Sequence, residues 1–309
     1  MGTLLLTHPT SLLHDMGAGH PESPARIIAV LEHLARYEFV ALLREDAPKV
    51  TLEQMLRVHP EHYIEALVQS APHQGRVRID DDTLMNSGTW PASLHTAGGG
   101  IAAVDAVLQG RADKAFVAMR PPGHHAGRET AMGFCFLNNI AIAARHAMAA
   151  HGAERVAIVD FDVHHGNGTQ EIFYNDPNVL YCSTHEMPLF PGTGRPDDTG
   201  IYGQICNVAM HAGEDGEAIR EAFRQVVLPR LHNFSPDLIL VSAGFDAHKN
   251  DPLANLELVA DDFYWMTGKL CDLATRHGKD RLVSMLEGGY DLKGLAESAG
   301  AHVRALMGR

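Results

Sequence analysis

Cysteine is scarce. Cys135, Cys182, Cys206 and Cys271 are the only four in 309 residues, and none forms a CxxC pair. That excludes a disulfide framework and a thiolate zinc site, and the four read as small buried apolar residues. Long apolar runs are missing too. No stretch approaches the roughly 18 apolar residues of a membrane span, and the opening Met1-Gly2-Thr3-Leu4-Leu5-Leu6-Thr7 lacks the basic start and apolar length of a signal peptide. A soluble, cytoplasmic protein with no membrane partner is expected, in which the glycosylation triplet Asn167-Gly168-Thr169 has no meaning. Positive charge is outnumbered, 25 Lys plus Arg against 38 Asp plus Glu, for a net charge of −13 with His neutral. This balance excludes direct nucleic-acid binding and tolerates cationic partners such as amines or lysine-rich peptides. Neither GxGxxG nor GxxxxGK occurs. Gly98-Gly99-Gly100, read as opening a helix over Ile101-Leu108, is therefore assigned to close packing of helix on sheet and not to phosphate binding. Low-complexity tracts and linkers are absent as well. Length alone suggests about two domains, yet the motifs described next run from Arg120 to Tyr290, so residues 1–309 are expected to form one domain.

What is present is a repeated pattern of short apolar run followed by polar cluster. Ala115-Phe116-Val117-Ala118 leads into Arg120-Pro121-Pro122-Gly123-His124-His125, and Val156-Ala157-Ile158-Val159 into Asp160-Phe161-Asp162-Val163-His164-His165-Gly166. Leu238-Ile239-Leu240-Val241 precedes Ser242-Ala243-Gly244-Phe245-Asp246, and Leu282-Val283-Ser284-Met285-Leu286 precedes Glu287-Gly288-Gly289-Tyr290. Such runs are what strands buried on both faces look like. A further strand is expected near Thr3-Leu6 and another over Val179-Ser183. Helical periodicity appears over Ala25-Ala35, Asn139-Ala150, Glu217-Leu231, Asp261-His277 and Leu292-Met307. Alternating strands and helices predict a mostly parallel sheet in a three-layer α/β fold. Its chemistry would gather outside the carboxyl ends of the strands. The irregular stretches Glu186-Ile201 and Asp246-Glu257 follow strands and are candidates to wall a pocket.

Asp160, Asp162 and His164 are two residues apart, so a continuing strand would point them to one face. Asp246 can complete a set of two carboxylate oxygens and one imidazole nitrogen. Three such donors with a fourth position open is the pattern of a catalytic zinc site. One Asp/His/Asp set is legible, so one tightly bound divalent ion per chain is expected. His124 and His125, in a turn fixed by Pro121-Pro122-Gly123, can supply a proton-transfer group and a neighbour whose charge assists it. Tyr290, after two glycines, can donate a hydrogen bond to a developing oxyanion. Phe134, after Gly133, and Phe190, before Pro191-Gly192, are equally good as pocket walls or core.

These residues resemble the arginase/deacetylase superfamily, and within it the zinc-dependent histone deacetylases and their bacterial relatives. The resemblance runs from His20-Pro21-Glu22-Ser23-Pro24-Ala25-Arg26 to Glu287-Gly288-Gly289-Tyr290-Asp291, and its central segments, Arg120 to Ala126 and Asp160 to Thr169, are long and specific. It implies Asp162, His164 and Asp246 as zinc ligands, His125 as general base and then acid, His124 as its electrostatic neighbour and Tyr290 as oxyanion donor. Asp160 and Asn167 would stand behind the histidines, Asn at 167 being the class II residue where class I carries Asp. Gly133, Phe134 and Phe190 would flank a tunnel for an acyl-lysine side chain, with Asp82 and Leu253 at its rim and Arg26 behind the site. An inner potassium site is implied around Asp160, Asp162, His164, Ser183 and Thr184.

The function expected is a zinc-dependent amidohydrolase that deacetylates an N-acetylated amine, above all acetyl-lysine, with homo-oligomerisation open. An acetylpolyamine amidohydrolase is the nearest rival. A two-manganese ureohydrolase would need repeated Asp/His sets, and a non-catalytic acyl-amine binding protein would not need Tyr290.

Overall fold

The computed structural model describes residues 2–309. In chain order its elements are β1 (Thr3–Thr7), α1 (Pro24–Leu34), β2 (Leu43–Asp46), α2 (Leu52–Met55), α3 (Glu61–Ser70), β3 (Arg76–Arg78), β4 (Leu84–Asn86), α4 (Thr89–Leu108), β5 (Lys114–Val117), α5 (Asn139–His151), β6 (Val156–Asp160), α6 (Asn167–Phe173), β7 (Val179–Glu186), β8 (Ile205–Met210), α7 (Gly216–Ala222), α8 (Leu228–Phe234), β9 (Leu238–Ala243), α9 (Ala260–His277), β10 (Leu282–Leu286) and α10 (Leu292–Leu306). Among the described residues an eight-stranded sheet runs in the order β2-β1-β5-β10-β9-β6-β7-β8. All its pairings are parallel, and β3 and β4 form a separate antiparallel hairpin.

Parallel strands need crossovers, and the helices that supply them cover both faces. Successive strand residues therefore bury against different layers. Leu4 and Leu6, Ala115 and Val117, and Val283 and Met285 pack with α4 and α5, whereas Leu5, Phe116, Leu282 and Leu286 pack with α1, α9 and α10 on the opposite face. The result is the three-layer α/β architecture expected from the sequence. Local signals fix the ends of several helices. Pro24 occupies the first turn of α1, Asn138 caps α5 by accepting from the Ala141 N–H at 3.0 Å, and α5 stops at Gly152 with φ 66°.

Two helices differ from expectation. The one expected over Glu217-Leu231 is α7 and α8 joined by a π-helical turn at Phe223–Val227. The glycines at 98–100 do not open α4 but lie in its middle, the helix starting at Thr89. Their packing role stands: a Cβ on Gly98 would sit 2.0 Å from the Pro48 carbonyl oxygen, and one on Gly99 2.8 Å from Val117 Cγ1. Of the cysteines, Cys135, Cys182 and Cys206 are buried and Cys271 is partly so.

Candidate active site

The four central neighbours β5, β10, β9 and β6 end side by side, and the loops after them carry His124 and His125, Tyr290, Asp246, and Asp162 with His164 respectively. Strand β6 itself stops at Asp160. The expectation that Asp162 and His164 share a face of a continuing strand is therefore wrong. Aspartate side chains shape a loop instead: Asp160 Oδ1 accepts from the Asp162 N–H at 3.1 Å, and Asp162 Oδ1 from the His164 N–H at 2.9 Å. Each is an Asp bonding the backbone two residues on, an arrangement that competes with strand geometry.

Two such turns bring His164 back over the carboxylates. Its Nδ1 lies 3.1 Å from Asp246 Oδ2 and 3.3 Å from Asp162 Oδ1, and one donor atom from each residue falls within 4.8 Å of the others. Glycines make the space. A Cβ at 244 would meet Asp162 Oδ2 at 2.0 Å, and one at 288 would meet Asp246 Oδ2 at 2.0 Å. The backbone also fixes the acids, with the Gly288 N–H donating to Asp162 at 2.8 Å and the Val163 N–H to Asp246 at 2.9 Å. Two carboxylates in one desolvated place call for positive charge. Burial and the charge of Asp162 push Asp246 up to about 7. Burial opposes a charge on His164, but its bonds to Asp162 and Asp246 raise it to about 10. A cavity with two acid oxygens, one imidazole nitrogen and backbone-locked geometry fits a divalent ion of the Zn²⁺ class.

The histidine pair is asymmetric although its members are adjacent. His124 Nδ1 donates to Asp160 Oδ2 at 3.0 Å, and despite burial the charges of Asp162 and Asp160 hold it protonated, well above the ordinary value. His125 is pushed well below, by burial first and then by His124 and His164. Its Nδ1 donates to Asn167 Oδ1 at 2.8 Å, which leaves Nε2 with a free lone pair. Tyr290 remains a donor, because burial raises its phenol well above 10 even with Arg26 opposing.

His125, His164 and Tyr290 line one cavity of about 330 Å³ together with Pro21, Asp82, Gly133, Phe134, Leu189, Phe190 and Leu253. The Phe134 ring stands edge-on to Tyr290 at 5.9 Å, and Phe190 edge-on to His125 at 5.2 Å. Phe134 adopts φ 69° after Gly133 at φ 56°, and its N–H is anchored on Thr83 Oγ1 at 3.0 Å. The two irregular stretches do wall the pocket, through Leu189 and Phe190 and through Leu253. Behind it, Ser183 pairs with Asp160 across β6 and β7, and the Thr184 hydroxyl is buried with no hydrogen-bond partner.

Several positioning groups escape sequence reasoning. Glu287 Oε2 accepts from the N–H groups of Gly123 and His124 at 2.6 and 3.2 Å, fixing the turn before the histidines; burial pushes its carboxyl up to about 7. Asp251 accepts from the Tyr290 N–H at 2.7 Å and the Leu253 N–H at 3.0 Å, so it places a donor and a rim residue together. Glu22 is gripped by Arg26 and Arg120, while Arg26 donates to the carbonyls of Gly289 and Glu287, both at 2.6 Å. Glu22 and Glu287 lie inside the clusters quoted above, and Arg26 is a local partner of Glu22 four residues on, but Arg120 and the turn at Gly123 lie over 90 residues away in sequence from the acids they meet, and no local spacing announces those contacts.

A family model described as the histone deacetylase domain matches residues 20–306. The histone deacetylase-like amidohydrolase of Pseudomonas aeruginosa is 43% identical over 278 residues, covering 88% of this chain and 73% of that protein. The probable deacetylase of Archaeoglobus fulgidus is 38% identical over 300 residues, covering 95% of this chain and 83% of that protein. Among solved structures, the HDA15 HD domain matches with a TM-score of 0.94 at 36% identity, covering 100% of this chain and 88% of that one.

Proposed function

Because the chain belongs to the histone deacetylase family, we propose that it is a zinc-dependent amidohydrolase removing acetyl groups from N-acetylated amines, acetyl-lysine side chains foremost. The observation that carries this reading is one cavity lined by a neutral His125, a protonated Tyr290 and His164, the last of which belongs to the donor set with Asp162 and Asp246. Zn²⁺ held by those three residues would polarise the acetyl carbonyl and lower the pKa of a water from about 16 to about 7. His125 Nε2 then takes a proton from the attacking water and returns it to the leaving amine nitrogen, while Asn167 fixes the ring. His124 stays charged against Asp160, which keeps its neighbour neutral at rest and ready to accept. Tyr290 donates to the acetyl oxygen as negative charge builds there. Phe134 and Phe190 dry the passage and Gly133 leaves it room, since a Cβ at 133 would meet the His125 ring at 2.5 Å. Asp82 at the rim would orient the substrate backbone. Potassium is proposed around Asp160, Asp162, His164, Ser183 and Thr184, where the unpartnered Thr184 oxygen supports a cation.

Acetyl-lysine is favoured over acetylpolyamines because Leu253 at the rim offers apolar contact and no carboxylate for a distal ammonium. The net charge of −13 argues the other way, since an acidic protein attracts polyamines even without a carboxylate at position 253. The test is kcat/KM of the zinc-loaded enzyme on an acetyl-lysine peptide and on acetylspermidine, before and after Leu253→Glu. The peptide should be preferred initially, and the substitution should move the ratio toward acetylspermidine. A preference of the unmodified enzyme for acetylspermidine by about tenfold, roughly 1.4 kcal/mol, would establish the polyamine reading instead. No turnover of either would leave an acyl-amine binding protein.

A further inference from the structure

We propose a second divalent-metal site, formed by Asp105, His146 and His151 on the outer layer of the fold, that takes a Zn²⁺-class ion independently of the active site. Among the described residues two groups of His and Asp bring donor atoms within 4.8 Å of one another, the active-site trio and this one. Asp105 comes from α4 and the two histidines from the second half of α5. Asp105 Oδ1 receives both imidazole Nε2–H groups, His146 at 2.7 Å and His151 at 2.6 Å. Three donor atoms already converge on one point. One ion in place of the two shared protons, with tetrahedral bonds of about 2.0–2.2 Å, sets the Asp105 oxygen about 3.3–3.6 Å from each nitrogen, so the atoms must part by about 0.6–1.0 Å, a shift within reach of side-chain rotation.

The surroundings favour a cation in two ways and oppose it in one. His151 is the last residue of α5, where the helix dipole favours positive charge. Asp105 is about a third exposed and His151 17% exposed, so an ion can enter from solvent, while His146 at 7% anchors the inner side. Opposition comes from Arg57, whose Nη1 donates to His146 Nδ1 at 2.9 Å. An imidazole that binds metal through Nε2 carries its proton on Nδ1, so Arg57 must turn away. It can do so toward its helical partner Glu53, which is mostly exposed. Two imidazoles and one carboxylate suit Zn²⁺, Ni²⁺ or Co²⁺ rather than Mg²⁺ or Ca²⁺. The bound ion would tie α4 to α5 and leave the chemistry untouched, so it belongs with stability and not with turnover.

The experiment is Zn²⁺ titration of chelator-treated protein by calorimetry and by metal analysis after equilibrium dialysis, on the full chain and four variants. The unmodified protein should take up one equivalent more than His151→Ala or Asp105→Asn, both of which should keep kcat/KM on an acetylated substrate. His164→Ala should lose the other equivalent and keep this one, which separates the site from the active-site assignment. Arg57→Ala should tighten the weaker equivalent by about threefold or more, since it removes a competing donor. Asp105→Asn preserves shape and guards against a folding defect in the alanine variant. Equal Zn²⁺ uptake by the unmodified protein and both Asp105→Asn and His151→Ala would overturn the proposal, because any extra ions would then sit elsewhere, for example on the exposed His232 and His277 pair, whose ring nitrogens are 2.9 Å apart. An unchanged affinity in Arg57→Ala would also count against it.

Discussion

Removing one oxygen tests Tyr290. Tyr290→Phe keeps the ring against Phe134 and over it the Arg26 guanidinium, 4.8 Å from the ring centre, so packing is spared and only the donor is lost. The expected fall in kcat is on the order of 10² to 10³, about 2.7–4 kcal/mol, with KM moving far less. A fall under about threefold in kcat, less than roughly 1 kcal/mol of barrier, would take the donor role away from this residue. The metal and proton-transfer roles separate by a second pair of substitutions. His164→Ala removes one of three donors and should release the active-site ion, whereas His125→Ala should retain it and lose turnover, as read by metal content and rate on the same samples. Retention of full active-site metal by His164→Ala would reassign the ligand.

At the scale of elements, glycine has opposite meanings in α4 and α9, although both positions are mid-helix. In water a helical Gly costs about 1 kcal/mol relative to Ala. Gly268 in α9 has nothing within 4 Å of where a Cβ would go, so Gly268→Ala should stabilise by about 0.5–1 kcal/mol. Gly98 faces backbone: its Cβ would meet Pro48 O at 2.0 Å and Val50 N at 2.6 Å. Backbone cannot swing aside, so Gly98→Ala should destabilise by about 1–3 kcal/mol or more. Urea midpoints at constant m-value decide both, and a stabilising Gly98→Ala would mean the α4 contact with the segment after β2 is slack. The same contrast explains what sequence reasoning could reach. The strands β5, β6, β9 and β10 announce themselves because both faces are buried and each is a run of apolar residues with a single polar one. Strand β2, Leu-Arg-Glu-Asp at the sheet edge, is exposed throughout and carries no such signal. The first half of α4 is hidden because three successive glycines oppose helix locally and are tolerated only through packing. Likewise the Asp162 and His164 positions were readable as residues and not as geometry, since Asx turns replaced the expected strand. Glu287 is unreadable as a support of the His124 turn, and Asp251 of Tyr290, because in each pair the two members come from different loops.

For the molecule as a whole, acid should unfold this protein earlier than its carboxylates alone would predict, because several histidines are buried neutral. Burial lowers His59 and His185 to about 4, and His165 and His302 to about 3, against an ordinary value of 6.5. Each is committed to hydrogen bonds inside the fold, as His59 is between the Arg128 carbonyl and the Asn138 N–H, both at 2.9 Å. The unfolded chain takes up these protons near pH 6.5 and the native state refuses them until pH 4 or below. Their contribution to stability is therefore complete above pH 6.5 and is lost as pH falls toward 4, at about 1.4 kcal/mol per pH unit for each group. Asp246 and Glu287 act in the opposite direction, since the native state binds their protons at about 7 and the unfolded chain only near 4. Histidines held neutral by burial, His14 and His125 among them, outnumber the raised carboxylates, to which Asp160 and Asp251 also belong, so the net effect is a loss of stability as pH falls below 6.5. Glu22, held well below 4.5 chiefly by Arg120 against the cost of its burial, adds its own loss only at still lower pH. Urea unfolding at pH 7, 6 and 5 measures the slope directly. Metal release could imitate it, so the series is run on chelator-treated protein as well, where His164, raised to about 10, keeps its proton in the native state while the unfolded chain takes its own up near 6.5, which adds stability as pH falls from 7 toward 6 and no slope below about 5.5. Stability that is level or rising from pH 6.5 to pH 5 in the metal-free protein would show that the buried histidines find compensation on protonation.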